Sequence, residues 1–233
     1  MSASVIVLAY NEAENLGPVL RELLAWSAEN APELEVIVVD DGSSDGSAEI
    51  ARQVLGERGH VLRHSTNRGM GAGLKTGSRA ATREWLTFMP ADGQIPPSGI
   101  GELLSATDDD IDLVLSCYRD RDDGLARKIL SASVRALITV VHGVQLQSEG
   151  PYLIRRRLFD PAQLKADTFF LNFEVPIRAL AAGLRVAHVS MDCRPRRAGE
   201  SKTAHPGRAL RVGKELVGLR VRRVAEALRR IRG

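Results

Sequence analysis

The sequence has few cysteines and histidines, and they are widely spaced. Two of the 233 residues are cysteines, Cys117 and Cys193, and five are histidines. Neither set matches the spacing of zinc ligands, and two distant cysteines do not make a disulfide framework. The sequence therefore predicts no zinc site and no disulfide-stabilised domain, and its cysteine usage fits a reducing cytoplasm.

Long apolar runs are lacking as well. No run approaches the roughly 18–20 apolar residues that a membrane-spanning helix needs, and no basic segment leads into an apolar one at the amino terminus. We therefore expect a chain that neither spans a membrane nor is exported. With 44% hydrophobic and 26% charged residues, the composition is typical of a compact domain with a substantial core.

Aromatic residues make up only 4% of the chain, and positive charge is concentrated at the carboxyl end. Residues 208–233 hold nine Lys or Arg and two Glu, a net charge of +7, whereas the whole chain carries +3. Nucleic-acid-binding proteins usually combine aromatic side chains with basic residues along a groove. The sequence thus argues against a nucleic-acid partner and predicts a domain over 1–207 followed by a basic tail.

The tail, residues 208–233, has the pattern of an amphipathic helix. Its apolar residues recur at steps of four, three, four and three, which places them on one helical face. They are Val217, Val221, Val224, Leu228 and Ile231. Two interpretations stay open: a helix that packs on the body, and a helix on an anionic membrane surface, where each Lys or Arg contributes about 1 kcal/mol.

Short apolar runs alternate with amphipathic stretches through the first half of the chain. The runs that predict strands are SVIVLAY, LEVIVVDDGS, HVLRHS, EWLTFMPAD and IDLVLSCYR. The stretches that predict helices are 12–27, 44–56, 72–83 and 98–106. This alternation predicts a single α/β domain with a mostly parallel, Rossmann-like sheet flanked by helices.

The second half is less regular. Its patterns predict helices at 127–141 and 172–182, and a strand in LRVAHVSM. The stretch GPYLIRR is typical of either a strand or a turn.

Polar residues follow several of the predicted strands. They are Tyr10, Asn11, Glu12, Asp40, Asp41 and Asp92. Ligands of parallel sheets bind outside the carboxyl ends of the strands, where carboxylates can accept hydrogen bonds from a nucleobase or ribose. The alternative for Asp41 and Asp45 is a local role in turn and cap hydrogen bonds.

Three further stretches carry side chains suited to phosphate or metal. NRGMGAGLKTG is typical of a phosphate-cradling loop, or of a helix packed closely on a sheet. CRPRRAGESK gathers guanidinium groups that can chelate phosphate oxygens. In PADGQIPP, Asp92 and Gln94 offer oxygen ligands to a hard cation such as Mg²⁺ or Mn²⁺, and the alternative is an Asp-Gly turn.

Eight stretches, taken in order, resemble the family 2 glycosyltransferases of the GT-A fold. They are AYNEAENL, VVDDGSSDGS, NRGMGAGLKTG, FMPADGQIPP, YRDRDD, YLIRRRLFD, NFEVPIRALAAGLRV and RRAGESK. The similarity runs over 4–202 and is strongest to the branch of dolichyl-phosphate mannose synthase and bacterial polyprenyl-phosphate glycosyltransferases. Each stretch alone is ambiguous, and the order makes the resemblance specific.

The resemblance implies an inverting transfer of a sugar from a UDP- or GDP-sugar to a phosphate-bearing acceptor, polyprenyl phosphate, with Mg²⁺ or Mn²⁺. It implies a nucleotide-sugar pocket formed by Tyr10, Asn11, Glu12, Asp40, Asp41, Gly69, Gly71, Lys75, Ala91 and Asp92. It implies a metal held by Asp92 and Gln94, and an acceptor phosphate held by Arg119, Arg197, Ser201 and Lys202. The catalytic set is then Asp92, Arg119, Arg197 and Lys202.

The implied setting is the inner face of the cytoplasmic membrane, with the basic helix on anionic lipid as a peripheral anchor. A homo-oligomer is left open. An acceptor phosphate is already ionised at neutral pH, so the reaction needs no strong base, which agrees with the lack of histidine in the motifs.

One departure from the family pattern bears on activity. Where the family has Asp-X-Asp, this chain has Pro90-Ala91-Asp92, and proline offers no ligand. If the lost acid only supports the metal ligands, activity falls by about 10–100-fold. The alternatives are a catalytically impaired relative that binds a nucleotide-sugar or a partner, and an enzyme of the same fold with a soluble acceptor.

Overall fold

The computed structural model of this chain describes residues 2–119, 125–198 and 213–225, with side chains left aside at 125–131. Its seven strands are β1 (Ala3–Ala9), β2 (Glu35–Asp40), β3 (Gly59–Arg63), β4 (Trp85–Pro90), β5 (Leu113–Tyr118), β6 (Leu153–Arg155) and β7 (Val186–Met191). They form one sheet in the order β3-β2-β1-β4-β6-β5-β7.

The sheet is mostly parallel, which confirms the prediction. Neighbouring strands among β1 to β4 pair in parallel, as do β5 and β7. The exception is β6, which runs antiparallel to both β4 and β5. This three-residue strand is the part of GPYLIRR that the sequence pattern left undecided between strand and turn.

Helices cover both faces of the sheet. They are α1 (Ala13–Asn30), α2 (Ser47–Leu55), α3 (Met70–Ala80), α4 (Pro97–Ser105), α5 (Leu125–His142) and α6 (Leu171–Ala181). Successive side chains of a strand point to opposite faces, so Val5 and Val7 of β1 join one core and Ile6 joins the other. Helices α1, α2 and α4 pack on the first face, and α3, α5 and α6 on the second.

The helical segment 213–225 packs on the second core. Leu216 and Leu219 are fully buried there. Backbone and side-chain contacts add to the packing: His142 Nε2 lies 3.1 Å from the Leu216 carbonyl oxygen, and Thr168 donates to Glu215 at 2.9 Å. Burial lowers the pKa of His142, which favours the neutral imidazole at this contact.

The predicted apolar face of the tail points away from this contact. Val217, Val221 and Val224 are 53%, 64% and 43% exposed. The segment therefore packs on the body through one face and leaves the valine face free for another contact. The remaining predicted members, Leu228 and Ile231, lie outside the described residues. Across the described ranges, no helix has the length and apolar character that crossing a bilayer requires.

Candidate active site

The carboxyl ends of β1, β2 and β4 meet at one edge of the sheet. Ala9 of β1 pairs in register with Asp40 of β2, and Leu8 pairs with Pro90 of β4. The residues after these strands must therefore lie side by side, as expected for parallel strands. This edge is the candidate active site, and it holds the polar side chains that the sequence singled out.

The turn after β1 is fastened to the loop after β2. Asn11 has a φ of 51°, and its backbone N–H donates to Ser43 Oγ at 2.8 Å. The backbone N–H of Ser44 donates to Asn11 Oδ1 at 2.9 Å, and that of Glu12 donates to Ser47 Oγ at 3.0 Å. The two loops thus form one rigid unit, beside which Tyr10 is 37% exposed.

The two adjacent carboxylates after β2 have different surroundings. Asp40 is fully buried, with Oδ1 accepting from the Ser43 N–H at 3.2 Å and Oδ2 lying 3.1 Å from Arg63 Nε. Asp41 accepts from the backbone N–H groups of Arg68 and Gly69, at 2.9 and 2.7 Å. The Asp41 carboxylate therefore fixes the start of the glycine-rich stretch through long-range hydrogen bonds.

His64 continues this contact into α3. Its Nδ1 lies 2.7 Å from Asp41 Oδ1 and its Nε2 lies 2.9 Å from Thr76 Oγ1. Asp45, the other acid of this region, accepts from the backbone N–H of Ala13 at 2.9 Å and so fixes the start of α1. Asp45 also accepts from the Ser47 backbone N–H at 3.1 Å, which is the local turn contact that was the alternative to ligand binding, whereas the contacts of Asp41 are long-range.

The glycine-rich stretch packs directly on the backbone of residues 166–168. Gly69 has a φ of 94°, and a Cβ there would lie 2.5 Å from the Asp167 carbonyl oxygen. The same oxygen accepts from the Ala72 N–H at 3.1 Å, and the Lys75 ammonium pairs with the Asp167 carboxylate. These glycines are required by close backbone approach, whether or not a phosphate also binds beside them.

Gly71→Ala is expected to destabilise the domain by about 1–3 kcal/mol, the usual cost of overpacking. A Cβ at Gly71 would lie 2.7, 2.8 and 2.9 Å from backbone atoms of residues 166–168. Urea denaturation measures the effect. The matched control is Gly218→Ala, where the nearest atom is the flexible end of Arg222 at 3.3 Å, and no loss is expected. Equal midpoints for the Gly71 variant and the unmodified chain would show that 166–168 can move aside.

Asp92 lies in the loop after β4, next to a buried glutamate. Asp92 and Glu12 are each 8% exposed. Asp92 Oδ1 accepts from the Gln94 backbone N–H at 3.0 Å, and Glu12 Oε2 accepts from Asn15 Nδ2 at 2.6 Å. The guanidinium of Arg196 joins the two acids: Nη2 bonds Glu12 Oε1 and Nη1 lies 3.5 Å from Asp92 Oδ2.

Burial raises the pKa of Asp92, and the negative charge of Glu12 adds to the increase. The Gln94 N–H and Arg196 act in the opposite direction, because they favour the ionised carboxylate. A buried acid of this kind is stabilised by a positive charge. The site therefore favours a cation, and Arg196 supplies one.

This donor set fits a hard cation only as part of a larger shell. Within the described ranges, no group of three or more His, Cys, Asp or Glu side chains is placed to hold a metal. A divalent ion at Asp92 would therefore need oxygens from a substrate phosphate and from water, as is common for Mg²⁺. Gln94, half-buried in the same loop, is the neighbouring amide.

Residues 192–198 cross the Asp92 loop. The Arg194 N–H donates to the Gln94 carbonyl oxygen at 2.8 Å, and the Arg197 N–H donates to that of Asp92 at 3.3 Å. The side chains of Arg194 and Arg197 pair with Glu22 of α1, at 2.6 and 2.5 Å. An arginine-bearing segment thus lies directly over the candidate active site.

Arg119 lies after β5, beside the start of this segment. Its guanidinium pairs with Glu102 of α4 at 2.9 Å and with Asp192 at 3.0 Å. The hydrogen bond that Arg119 donates to Glu102 raises the pKa of Arg119. Ser201 and Lys202, the other residues predicted at an acceptor phosphate, lie outside the described residues.

The structure brings most of the predicted residues to one edge, and it adds others. Sequence reasoning placed Arg196 only in a basic cluster and assigned the phosphate role to Arg197, whereas Arg196 contacts the acids. It did not select Asn15, His64 or Asp167. Asn15 follows Glu12 in the stretch AYNEAENL, a signal that was available, but the neighbours of His64 and Asp167 depend on long-range contacts.

Comparison with known proteins gives the family. The sequence model of glycosyl transferase family 2 matches residues 4–180. An undecaprenyl-phosphate 4-deoxy-4-formamido-L-arabinose transferase of Proteus mirabilis (strain HI4320) is 31% identical over 207 residues, covering 85% of this chain and 62% of that protein. A dolichol-phosphate mannosyltransferase of Mycosarcoma maydis is 30% identical, covering 86% of this chain and 73% of that protein.

Solved structures show the same fold. Glucosyl-3-phosphoglycerate synthase from Mycobacterium tuberculosis in complex with UDP has a TM-score of 0.71 at 21% identity, covering 95% of this chain and 79% of that one. Mannosyl-3-phosphoglycerate synthase from Rubrobacter xylanophilus has a TM-score of 0.71 at 18% identity, covering 98% and 75%. The likeness confirms the GT-A architecture that the sequence predicted.

The chain spans only 62% of the length of the Proteus transferase, so these relatives establish kinship for the shared domain. The family match nevertheless covers residues 4–180, well over half of the sequence. The stretches AYNEAENL, VVDDGSSDGS and FMPADGQIPP meet at the carboxyl edge of a GT-A sheet. This chain therefore belongs to glycosyl transferase family 2.

Proposed function

We propose that this chain transfers a sugar from a UDP- or GDP-sugar to polyprenyl phosphate at the inner face of the cytoplasmic membrane. The observation that carries the proposal is the meeting of Glu12 and Asp92 with Arg196 at the carboxyl edge of the sheet, beside Arg197. Buried acids can anchor a cation beside a diphosphate, and arginines can neutralise phosphate. The reaction needs both functions side by side.

The donor would bind along the edge from β2 to β4. Tyr10 and the rigid loops of Asn11 and Asp40 would contact the nucleotide, and Asp92 with Gln94 would hold Mg²⁺ or Mn²⁺. The divalent ion supplies neutralisation of the charge that builds on the departing diphosphate. Structures of the Mycobacterium tuberculosis synthase contain UDP with Mn²⁺ or Mg²⁺, which supports this assignment.

The acceptor would approach from the side of the arginines. Arg119 and Arg197, with Ser201 and Lys202, would hold its phosphate, which needs no base because it is ionised at neutral pH. The names of two relatives include undecaprenyl phosphate and dolichol phosphate, which supports a polyprenyl phosphate. Direct displacement by the phosphate oxygen would invert the anomeric centre.

A soluble acceptor is the second candidate function. The Mycobacterium tuberculosis synthase, with the same fold, has been solved with phosphoglyceric acid, a small phosphate-bearing molecule. The arginine segment suits either acceptor, because both present a phosphate. The two candidates differ in one requirement: a polyprenyl phosphate acceptor requires the chain to contact a membrane, and a soluble acceptor does not.

Product formation with a panel of UDP- and GDP-sugars separates the candidates. Each donor is incubated with Mn²⁺ and either undecaprenyl phosphate or phosphoglycerate. We expect one donor to yield a lipid-linked sugar. A product only with phosphoglycerate would favour the soluble acceptor. Nucleotide binding without product from any donor would favour the impaired relative that the Pro90 substitution allows.

The valine face of 213–225 is the proposed membrane contact, because its apolar side chains are exposed and Arg220 borders them. Val221→Glu is expected to weaken binding to anionic vesicles by about tenfold, since burying a valine contributes roughly 1.5 kcal/mol. Gln53→Glu, at an exposed position of α2 on the other side of the sheet, is the control for the change in charge. Cosedimentation measures both, and equal losses would show that charge alone matters. Deleting the tail is a poorer test, because Leu216 and Leu219 belong to the core.

A further inference from the structure

Arg196 is the cation that already occupies the space between two active-site acids. Its Nη2 bonds Glu12 Oε1, its Nη1 lies 3.5 Å from Asp92 Oδ2, and its Nε donates to the Ala198 carbonyl oxygen at 2.9 Å. The Arg196 side chain is 18% exposed. A guanidinium held at three points in a nearly buried place is part of the built site rather than a solvated surface charge.

Further contacts fasten residues 192–198 to the turn after β1 and to the Asp92 loop. Asn15 Nδ2 donates both to Glu12 Oε2 at 2.6 Å and to the Ala198 carbonyl oxygen at 3.2 Å. The backbone of 194–197 bonds to Asp92 and Gln94. Residues 192–198 thus lie against the Asp92 loop, and the Arg196 guanidinium is their contact with the Asp92 carboxylate.

A divalent ion bound by Asp92 would lie where Arg196 now approaches the carboxylate. Two positive charges within a few ångströms in a poorly solvated site repel strongly. Because Asp92 Oδ1 is engaged by the Gln94 N–H, Oδ2 is the oxygen for which the two would compete. The loss of an acid at Pro90 removes the second carboxylate that could separate them.

We propose that Arg196 is a positioning residue that competes with the divalent cation for Asp92 and thereby couples metal occupancy to the position of 192–198. The proposal rests on the function proposed above. A nucleotide diphosphate relieves the competition, because it offers oxygens both to the ion and to the displaced guanidinium. Metal alone thus binds weakly, and metal with nucleotide binds cooperatively.

The test is a titration of the full chain with Mn²⁺ in the absence of nucleotide. Electron paramagnetic resonance measures the concentration of free Mn²⁺ and so gives the affinity. We expect Arg196→Gln to bind Mn²⁺ roughly 5–150-fold more tightly than the unmodified chain, the usual range of coupling between sites. Arg196→Lys keeps the charge but contacts one acid at a time, so its Mn²⁺ affinity should lie between those of Arg196→Gln and the unmodified chain. The control Arg194→Ala should leave affinity unchanged, because Arg194 pairs with Glu22.

A second measurement keeps the test valid if Arg196→Gln is less stable than the unmodified chain, because it compares the change in Tm that Mn²⁺ causes in each protein. Mn²⁺ should raise the Tm of Arg196→Gln more than that of the unmodified chain, since stabilisation of the folded state by a ligand increases with the logarithm of its concentration divided by Kd. Hydrogen exchange at 192–198 should also accelerate when Mn²⁺ is added to the unmodified chain. Equal or weaker Mn²⁺ binding by Arg196→Gln, or exchange that Mn²⁺ leaves unchanged, would overturn the proposal.

The outcomes also separate this proposal from the proposed function. Tighter Mn²⁺ binding in Arg196→Gln without sugar transfer from any donor would support the competition and reject the transferase activity. Sugar transfer by the unmodified chain, together with equal Mn²⁺ affinities of the unmodified chain and Arg196→Gln, would support the transferase activity and reject the competition.

Discussion

Asp92→Asn is expected to lower the rate of sugar transfer by about 10²–10³-fold, the usual effect of removing one group that stabilises developing charge. The amide keeps the shape of the side chain and can still accept the Gln94 N–H at Oδ1. It lacks the negative charge that would anchor a divalent ion against the donor diphosphate. Initial rates at saturating donor and Mn²⁺ measure the effect.

The folded state should tolerate this substitution. Burial raises the pKa of Asp92 above its ordinary value, so folding disfavours the ionised form and a neutral replacement relieves that cost at neutral pH. We therefore expect an unchanged or higher Tm. Asp160→Asn, an exposed acid in a turn, is the control and should retain full activity. Full turnover by Asp92→Asn would show that the metal is held elsewhere.

Glu174→Ala is expected to lower the free energy of unfolding by about 3–5 kcal/mol, as for other broken buried pairs. Glu174 is fully buried in α6 and accepts from the Ala166 N–H at 3.0 Å, the Lys165 N–H at 3.4 Å and Arg178 Nε at 3.0 Å. Alanine removes the carboxylate that two backbone donors and the half-buried Arg178 guanidinium share. Urea denaturation with a linear extrapolation measures the change.

Two variants locate the cause of this loss. Glu174→Gln keeps one acceptor oxygen and the side-chain volume, so it should cost less than alanine. Glu14→Ala, at an exposed position of α1, should change stability by less than about 0.5 kcal/mol. Because Glu174 fixes the backbone that leads to 166–168, its loss should also loosen the glycine-rich stretch. A change below 1 kcal/mol for Glu174→Ala would contradict this support role.

The sequence predicted the sheet well because its strands are apolar on both faces. Val5, Ile6 and Val7 are all buried, so the run is continuous and unmistakable. The strand ends were equally clear, and the parallel rule then placed Glu12, Asp40 and Asp92 together. The three-residue β6 was undecided because so short a run shows no periodicity.

Long-range contacts account for what the sequence did not predict. Positions 69 and 71 require glycine because the backbone of 166–168, about a hundred residues later in the chain, approaches them closely. Arg196 and Arg197 are adjacent and chemically identical, so local sequence cannot say which one contacts Asp92. That choice is made by the backbone bonds of the segment to Asp92 and Gln94.

The tail shows the same limit. Its periodic valines predicted an amphipathic helix, and the structure leaves Val217 and Val221 exposed. The contact with the body uses Leu216 and Leu219, which fall outside that periodic face. A pattern can show that a helix has an apolar face, but the surface that it meets depends on the fold of the whole chain.

A crystal structure with Mn²⁺ and either UDP or GDP would test the central claim most directly. The anomalous signal of manganese locates the ion independently of the protein model. We predict the nucleotide along the edge from β2 to β4, and an ion bonded to an Asp92 oxygen and to the diphosphate, with Arg196 moved away from Asp92. A nucleotide bound with manganese distant from Asp92, or a diphosphate held with Arg196 still on that carboxylate, would contradict the account.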